Sequence, residues 1–244
     1  MTARYLAIGC GVLTVSSWAL VGASIPTASA EPCPDVQVVF ARGTTEEPGV
    51  GPTGQAFVDS LRTRIGAKSL GVYPVDYPAT LDFPTAVTGI HDASDHVLTM
   101  ASACPETDLV LGGYSQGAAV MGFVTSSVIP DGAPAGVPNP MPPEVAERVA
   151  AVALFGKPNN RFMSAINEPV IEVGHLYADK TIDLCVPADP ICDRGGDFAV
   201  HTPVQYVQTG MVNEAATFTT GRLLGQDLDD DDPAVEHLTG RLPG

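Results

Sequence analysis

Basic residues are scarce in this 244-residue sequence, which has 12 Lys and Arg against 28 Asp and Glu and a formal net charge of −16. Nucleic-acid-binding proteins need a basic face for the phosphates, so the composition excludes that class. The same deficit argues against electrostatic docking on anionic lipid. Because 45% of residues are hydrophobic and only 16% are charged, the chain is neither disordered nor a polar repeat.

Metal-binding patterns and, after residue 31, long apolar runs are also missing. The cysteines lack the close pairs and partner histidines of a zinc site. The acidic run at residues 229–232 has neither the spacing nor the loop glycine of an EF-hand. No segment after residue 31 is long and apolar enough to span a bilayer. We therefore expect no metal site and no stable membrane span.

The first thirty residues predict a secretory signal peptide. Arg4 is the only charged residue before Glu31, and residues 5–21 are mostly apolar. Residues 28–30, Ala-Ser-Ala, match the small residues that signal peptidase accepts, and Pro26 fits a cleavage region better than an uncleaved anchor. We predict cleavage after residue 30 and a secreted protein, extracellular or associated with the cell wall.

Cleavage would remove Cys10 and leave four cysteines, an even number that suggests disulfides in an exported chain. Four cysteines allow three pairings. Six residues separate Cys185 from Cys192, a short loop that a disulfide can close, and Cys33 would then pair with Cys104.

Strand-like and helix-like segments alternate along the chain. The predicted strands are residues 36–40, 70–75, 108–113, 149–155 and 170–177, and the predicted helices are residues 53–65, 85–101, 116–127 and 212–224. Such alternation predicts the α/β class, with a central parallel sheet and helices on both faces. Residues 130–143 are rich in Pro and Gly and are predicted to be a surface loop.

The chain is predicted to contain one domain between two processed or flexible ends. Residues 1–30 are the signal peptide, residues 31–225 form the α/β domain, and residues 226–244 form an acidic, flexible tail.

Residues 113–117, Gly-Tyr-Ser-Gln-Gly, fit the G-x-S-x-G pattern of a nucleophilic serine. A short apolar strand precedes the motif and a helix rich in small residues follows it, the context in which a tight strand-to-helix turn lifts the serine hydroxyl clear of the backbone. Ser115 is therefore the predicted nucleophile.

A serine hydroxyl needs a general base, and in chains of this type an acid and then a histidine follow the serine. Of the downstream histidines, His237 lies in the acidic tail and His175 lies in a strand-like run, so His201 is preferred. The acid stays open on spacing alone. Asp189 is favoured because the proposed disulfide would hold its carboxylate in place; its competitors are Glu172, Asp179, Asp183, Asp193 and Asp197.

Four elements, in this order, resemble the cutinase family: Phe-Ala-Arg-Gly-Thr-Thr-Glu at residues 40–46, the motif at 113–117, the Cys185-x-x-x-Asp189-x-x-Cys192 loop, and His201. The likeness extends to about residue 224. The Pro-rich residues 130–143 and residues 153–156 resemble a branch of secreted actinobacterial cutinase-like proteins.

The resemblance implies a three-layer α/β hydrolase, small and without a large lid, whose triad is Ser115, His201 and Asp189. It implies an oxyanion hole from the backbone N–H groups of Thr44 and Gln116, and it implies the same two disulfides. The activity implied is serine-dependent ester hydrolysis without metal or organic cofactor.

The substrate class implied is a lipid or polyester, which suits an acidic chain, and the protein is expected to be a monomer. Thr202 and Pro203 follow His201, where fungal members more often have Leu and an aromatic residue, so acyl-chain preference stays open. Phospholipase, thioesterase or acyltransferase activity, or a non-catalytic role in binding the cell envelope, are the alternatives.

Overall fold

A computed structural model describes residues 32–225, so the predicted signal peptide and acidic tail lie outside the described residues. Its sheet has five parallel strands in the order β2-β1-β3-β4-β5. The strands are β1 (Val36–Ala41), β2 (Leu70–Pro74), β3 (Asp108–Tyr114), β4 (Val149–Phe155) and β5 (Thr181–Leu184).

Strands β1, β3 and β4 form the centre of the sheet because their sequences are apolar on both faces. Every residue of β1 is buried, and β3 and β4 each have six buried residues out of seven. Parallel strands covered by helices on both sides have this continuous apolar character. Of the predicted strands, residues 149–155 match the observed β4 end to end.

Helices cover both faces of the sheet. They are α1 (Gly51–Arg62), α2 (Val87–Ala103), α3 (Gln116–Val124), α4 (Pro143–Ala146), α5 (Asn160–Ala165), α6 (His175–Ala178), α7 (Pro203–Gln208) and α8 (Met211–Leu223), with 3₁₀ turns at Phe83–Ala86 and Phe198–Val200. Helices α1, α7 and α8 pack on one face and α2, α3, α4 and α6 on the other, which produces three layers. The α/β hydrolase architecture predicted from the sequence is confirmed.

One predicted strand, residues 170–177, is wrong. Residues 170–174 have no regular structure, His175 begins α6, and the strand lies at Thr181–Leu184 instead. The apolar side chains that suggested a strand cover α3 instead: a Cβ on Gly122 would lie 2.2 Å from Ile171 Cγ2, and the Gly174 N–H bonds to the Thr125 carbonyl. Loop residues packed on a helix show the same burial that a short strand does.

The strand order creates a crevice at the carboxyl ends of β1 and β3. From β1 the chain crosses through α1 to β2 on one side, whereas β4 and β5 lie on the other side of β3. Ligands of open α/β sheets bind at such a switch point. Because Ala41 is in register with Gly113, the loop after β1 lies beside the turn that contains Ser115.

Two disulfides fasten the domain. Cys33–Cys104 joins the segment before β1 to the end of α2, and Cys185–Cys192 closes the loop after β5. Both are the pairings expected from the sequence. Such bonds are typical of proteins that mature in an oxidising compartment.

Candidate active site

Ser115 occupies a strained turn between β3 and α3. Its backbone angles are φ 55° and ψ −117°, a region that residues with a side chain rarely adopt. The motif glycines make the turn possible: a Cβ on Gly117 would lie 2.0 Å from the Ala41 carbonyl oxygen, and one on Gly113 would lie 2.2 Å from the Gly117 carbonyl oxygen. The Ser115 N–H bonds to the Phe155 carbonyl at 2.8 Å and so ties the turn to β4.

The structure brings Ser115, His201 and Asp189 together in one hydrogen-bonded series. Ser115 Oγ lies 2.7 Å from His201 Nε2, and His201 Nδ1 lies 2.6 Å from Asp189 Oδ2. The His201 side chain is 13% exposed and that of Asp189 is fully buried. The hydroxyl, the imidazole and the carboxylate thus have the order and separations that a nucleophile, a base and an orienting acid require.

The Asp189 carboxylate is stabilised in its ionised form. Burial opposes ionisation, but hydrogen bonds from His201, from the Tyr206 hydroxyl at 2.6 Å and from the Ile191 N–H at 2.9 Å outweigh it, so the pKa of Asp189 lies below its ordinary value. Asp189 lies within the loop that the Cys185–Cys192 bond closes. The carboxylate is therefore held by both a covalent loop and three donors.

Tyr206 is a site residue that the sequence analysis missed. It is fully buried on α7, and both burial and the Asp189 carboxylate raise its pKa far above the ordinary value, so the phenol remains a donor. Gly156 makes room for this contact: it has φ +59°, and a Cβ there would lie 2.6 Å from the Tyr206 oxygen and 3.0 Å from His201 Cε1. No local pattern marks Tyr206, because its partner is 17 residues away in sequence.

Three of the five competing acids have other partners, and the other two lie elsewhere in the fold. Asp183 pairs with Lys157 at 3.3 Å, Asp193 accepts N–H groups of its own loop, and Asp197 accepts the N–H of Ala199. Asp179 ends α6 and Glu172 lies in the irregular segment before it. His175 begins α6, where its ring contacts the Ser127 hydroxyl, and His237 lies outside the described residues.

Two backbone N–H groups beside Ser115 have no acceptor among residues 32–225. Gln116 is the first residue of α3, so its N–H has no acceptor among the carbonyls of that helix. The N–H of Thr44 belongs to the turn after β1 and is likewise unpaired within the described part of the chain. Both residues border the same cavity as Ser115, so both groups are available to an oxyanion formed there.

Ser115 opens into an apolar cavity of about 570 Å³. Along α3 the cavity follows Ala119, Val120 and Phe123, and at its mouth Leu81 and Phe198 are 72% and 65% exposed. Further lining residues come from the 3₁₀ turn before α2, from α2, from α5 and its C-terminal end, and from the Pro-rich loop: Phe83, Ile90, Pro134, Phe162, Met163 and Ile166.

Within residues 32–225, no helix is both long and apolar enough to cross a membrane. Over the same range, His, Cys, Asp and Glu side chains form no group of three or more that could hold a metal ion.

The chain is similar to several known proteins. A family model described as cutinase matches residues 32–223. "Probable carboxylesterase Culp5" of Mycobacterium tuberculosis is 60% identical over 167 residues, which are 68% of this chain and 95% of that protein. "Phospholipase Culp4" of the same organism is 46% identical over 223 residues, 90% of this chain and 92% of that protein. The solved structure of Trichoderma reesei cutinase in complex with a C11Y4 phosphonate inhibitor is 30% identical, has a TM-score of 0.59 and covers 79% of this chain and 78% of its own.

Proposed function

The chain belongs to the cutinase family, and we propose that it hydrolyses carboxylic esters by two-step acyl transfer through Ser115. His201 removes the proton from Ser115 as Oγ attacks the ester carbonyl, and Asp189 holds the imidazole tautomer and stabilises the imidazolium. His201 then protonates the leaving alcohol. Water, activated by the same imidazole, releases the acid and restores Ser115.

The observation that carries the proposal is the pair of short contacts on either side of the His201 ring, at 2.7 Å to Ser115 and 2.6 Å to Asp189. A binding protein has no need of a strained serine whose hydroxyl already bonds to an imidazole. The free N–H groups of Thr44 and Gln116 would stabilise the tetrahedral oxyanion. Chemistry of this kind needs no metal or organic cofactor.

The cavity supports an aliphatic acyl group as the substrate's acid part. Phe123 lies two turns of α3 beyond Ser115, about 12 Å along the helix axis. An extended chain gains about 1.2 Å per bond, so an acyl chain of about ten carbons would span that distance. The exposed apolar side chains of Leu81 and Phe198 at the mouth, in a chain with few basic residues, favour an uncharged lipid or polyester.

Phospholipase activity is the second candidate. It is supported by the relative named Phospholipase Culp4, which shares 46% identity over nine-tenths of both chains. The proposed triad would serve a phospholipid acyl ester equally well, so the difference would reside in the loops at the cavity mouth.

A fluorophosphonate probe and a substrate panel test the proposal. The serine oxygen displaces fluoride from phosphorus, so the wild-type protein should gain one phosphonyl group at Ser115 by mass spectrometry, and Ser115→Ala should gain none. The panel contains nitrophenyl esters of increasing chain length, a polyester film and a phosphatidylcholine vesicle. Release of fatty acid from the vesicle in preference to hydrolysis of the film would favour phospholipase activity. Absence of both labelling and turnover would refute the proposed ester hydrolysis.

We also propose that the protein is secreted after removal of residues 1–30, that residues 226–244 form a tail outside the catalytic domain, and that the enzyme acts as a monomer. The two disulfides support maturation outside the cytosol. N-terminal sequencing of protein from culture medium tests the first statement, and its mass by light scattering tests the third.

A further inference from the structure

We propose that Glu46 is a positioning residue that holds the N–H of Thr44 toward the reacting carbonyl. The inference rests on the proposed ester hydrolysis and assigns a function to a partly buried carboxylate that the Ser115–His201–Asp189 series does not use. Glu46 lies in the turn between β1 and α1 and borders the same cavity as Ser115.

Hydrogen bonds engage the other backbone N–H groups of residues 43–46. The Gly43 N–H donates to the Glu46 carboxylate at 2.7 Å, the Thr45 N–H donates to the Ala79 carbonyl at 2.6 Å, and the Glu46 N–H donates to the Gly43 carbonyl at 3.2 Å. Among residues 43–46, Thr44 alone is left with its N–H free within the described part of the chain. The Glu46 side chain thus folds back on its own turn and fixes the Arg42–Gly43 peptide, the one before the peptide that contains the Thr44 N–H. The Glu46 backbone N–H holds the carbonyl of the Gly43–Thr44 peptide itself.

The carboxylate is kept in place despite an unfavourable environment. Burial raises the pKa of Glu46, although the Gly43 N–H, the Arg42 guanidinium and His201 partly oppose the rise. Its Oε1 atom is buried and has no hydrogen-bond partner among residues 32–225. A carboxyl group with one buried oxygen left without a hydrogen bond lowers the stability of the fold. The presence of Glu46 is therefore better explained by a role in the active site than by a role in folding.

The surrounding residues are shaped around this carboxylate. Gly51, the first residue of α1, has φ +68°, and a Cβ there would lie 2.1 Å from Glu46 Oε2. Arg42 fastens the same turn independently, since its side chain donates to the carbonyls of Glu46, Val75 and Tyr77. Because Arg42 holds the backbone of the turn, loss of the Glu46 side chain should leave the fold intact. It should release the Arg42–Gly43 peptide and so loosen the adjoining peptide that carries the Thr44 N–H.

The primary test is Glu46→Ala. Removing one oxyanion donor costs about 10²–10³ in kcat, and misplacing a donor costs less, so we expect kcat to fall about 10- to 100-fold with KM changed less than threefold. The rate of phosphonylation by the fluorophosphonate should fall in parallel, because that reaction also builds negative charge on an oxygen beside Ser115. The melting temperature should change little.

Two further variants separate positioning from general disruption. Glu46→Gln retains an acceptor for the Gly43 N–H and should recover most of the lost kcat. Glu47→Ala removes the same charge from the adjacent, exposed residue and should match wild type. Failure of Gln to restore activity, or an equal loss in Glu47→Ala, would overturn the proposal.

Gly51→Ala supplies an independent route to the same defect. Its Cβ would displace the Glu46 carboxylate, so kcat should fall as in Glu46→Ala, while the double variant should be no slower than Glu46→Ala alone. Additive losses would show that Gly51 acts by another route and would count against the inference. Full kcat in Glu46→Ala, with wild type still labelled at Ser115, would refute the inference and leave the esterase proposal standing.

Discussion

Tyr206→Phe is a sensitive test of how the acid of the site is held. The substitution removes only the hydroxyl that donates to Asp189 Oδ2 at 2.6 Å. The ring would keep its contacts with Tyr114, Phe155 and His201, whose centroids lie 5.4–6.4 Å away. Asp189 would retain its donors on His201 and on the Ile191 N–H. The hydroxyl also lies 3.4 Å from Cys192 Sγ, so any change reports the bond to Asp189 together with this weaker contact.

The magnitude follows from the charge and burial of the pair. A hydrogen bond to a charged group contributes about 1.5–3 kcal/mol, and neither partner can turn to solvent because both side chains are buried. For a domain of this size each kcal/mol lowers the melting temperature by about 2–4 °C, so a fall of about 3–12 °C is expected. If about 1.4 kcal/mol of this stabilisation acts only in the transition state of ester hydrolysis, its loss lowers kcat about tenfold.

The assay compares Tyr206→Phe with Tyr177→Phe by thermal unfolding and by nitrophenyl ester kinetics. Tyr177 is also a buried tyrosine, but its hydroxyl has no partner among the described residues, so removing it should be neutral or slightly stabilising. An unchanged melting temperature and kcat in Tyr206→Phe would refute the reasoning. A fall in kcat as large as that of an Asp189 variant would also refute it, because Tyr206 would then do more than hold Asp189 in position.

Three other predictions concern the same region. Asp189→Asn should lower kcat by about 10⁴, and if an Asp183 substitution does this instead, the assignment of the acid is wrong. Replacing both Cys185 and Cys192 by Ser should cost about 2–4 kcal/mol, and in a urea titration activity should disappear before global unfolding; coincident loss would contradict the link between the loop and Asp189. Because the folded pKa of Asp189 is lowered, its stabilising effect is complete above its unfolded pKa of about 3.9 and is lost as pH falls through the folded pKa. The stability difference between wild type and Tyr206→Phe should therefore be constant from about pH 5 to 8 and shrink below about pH 4, and a difference that persists undiminished in acid would argue against this carboxylate as its source.

Most of the architecture could be predicted because it is specified locally. The central strands are continuous apolar runs, and the turn at Ser115 needs glycines at 113 and 117, so both appear as contiguous patterns. The strand at Thr181–Leu184 could not be found this way. It has four residues, of which one is exposed and only one is buried, so it lacks the apolar period of a strand and is defined by its pairing with β4.

The proposed acid, Asp189, could be only partly identified from the sequence. Spacing left six acids open, the likeness to a family favoured Asp189, and the coordinates put its carboxylate against His201. Tyr206 was not singled out from the sequence, and Glu46 appeared only as the last residue of the motif at residues 40–46, without a role. Their hydrogen bonds depend on how α7 and the turn after β1 pack beside β3, and such distances arise only when segments far apart in the chain are brought together by the sheet. A strained turn is a local property, so the candidate nucleophile could be identified from the residues on either side of it. The surroundings of that residue could not, because burial and hydrogen bonding in a core arise between segments that meet only in the folded chain.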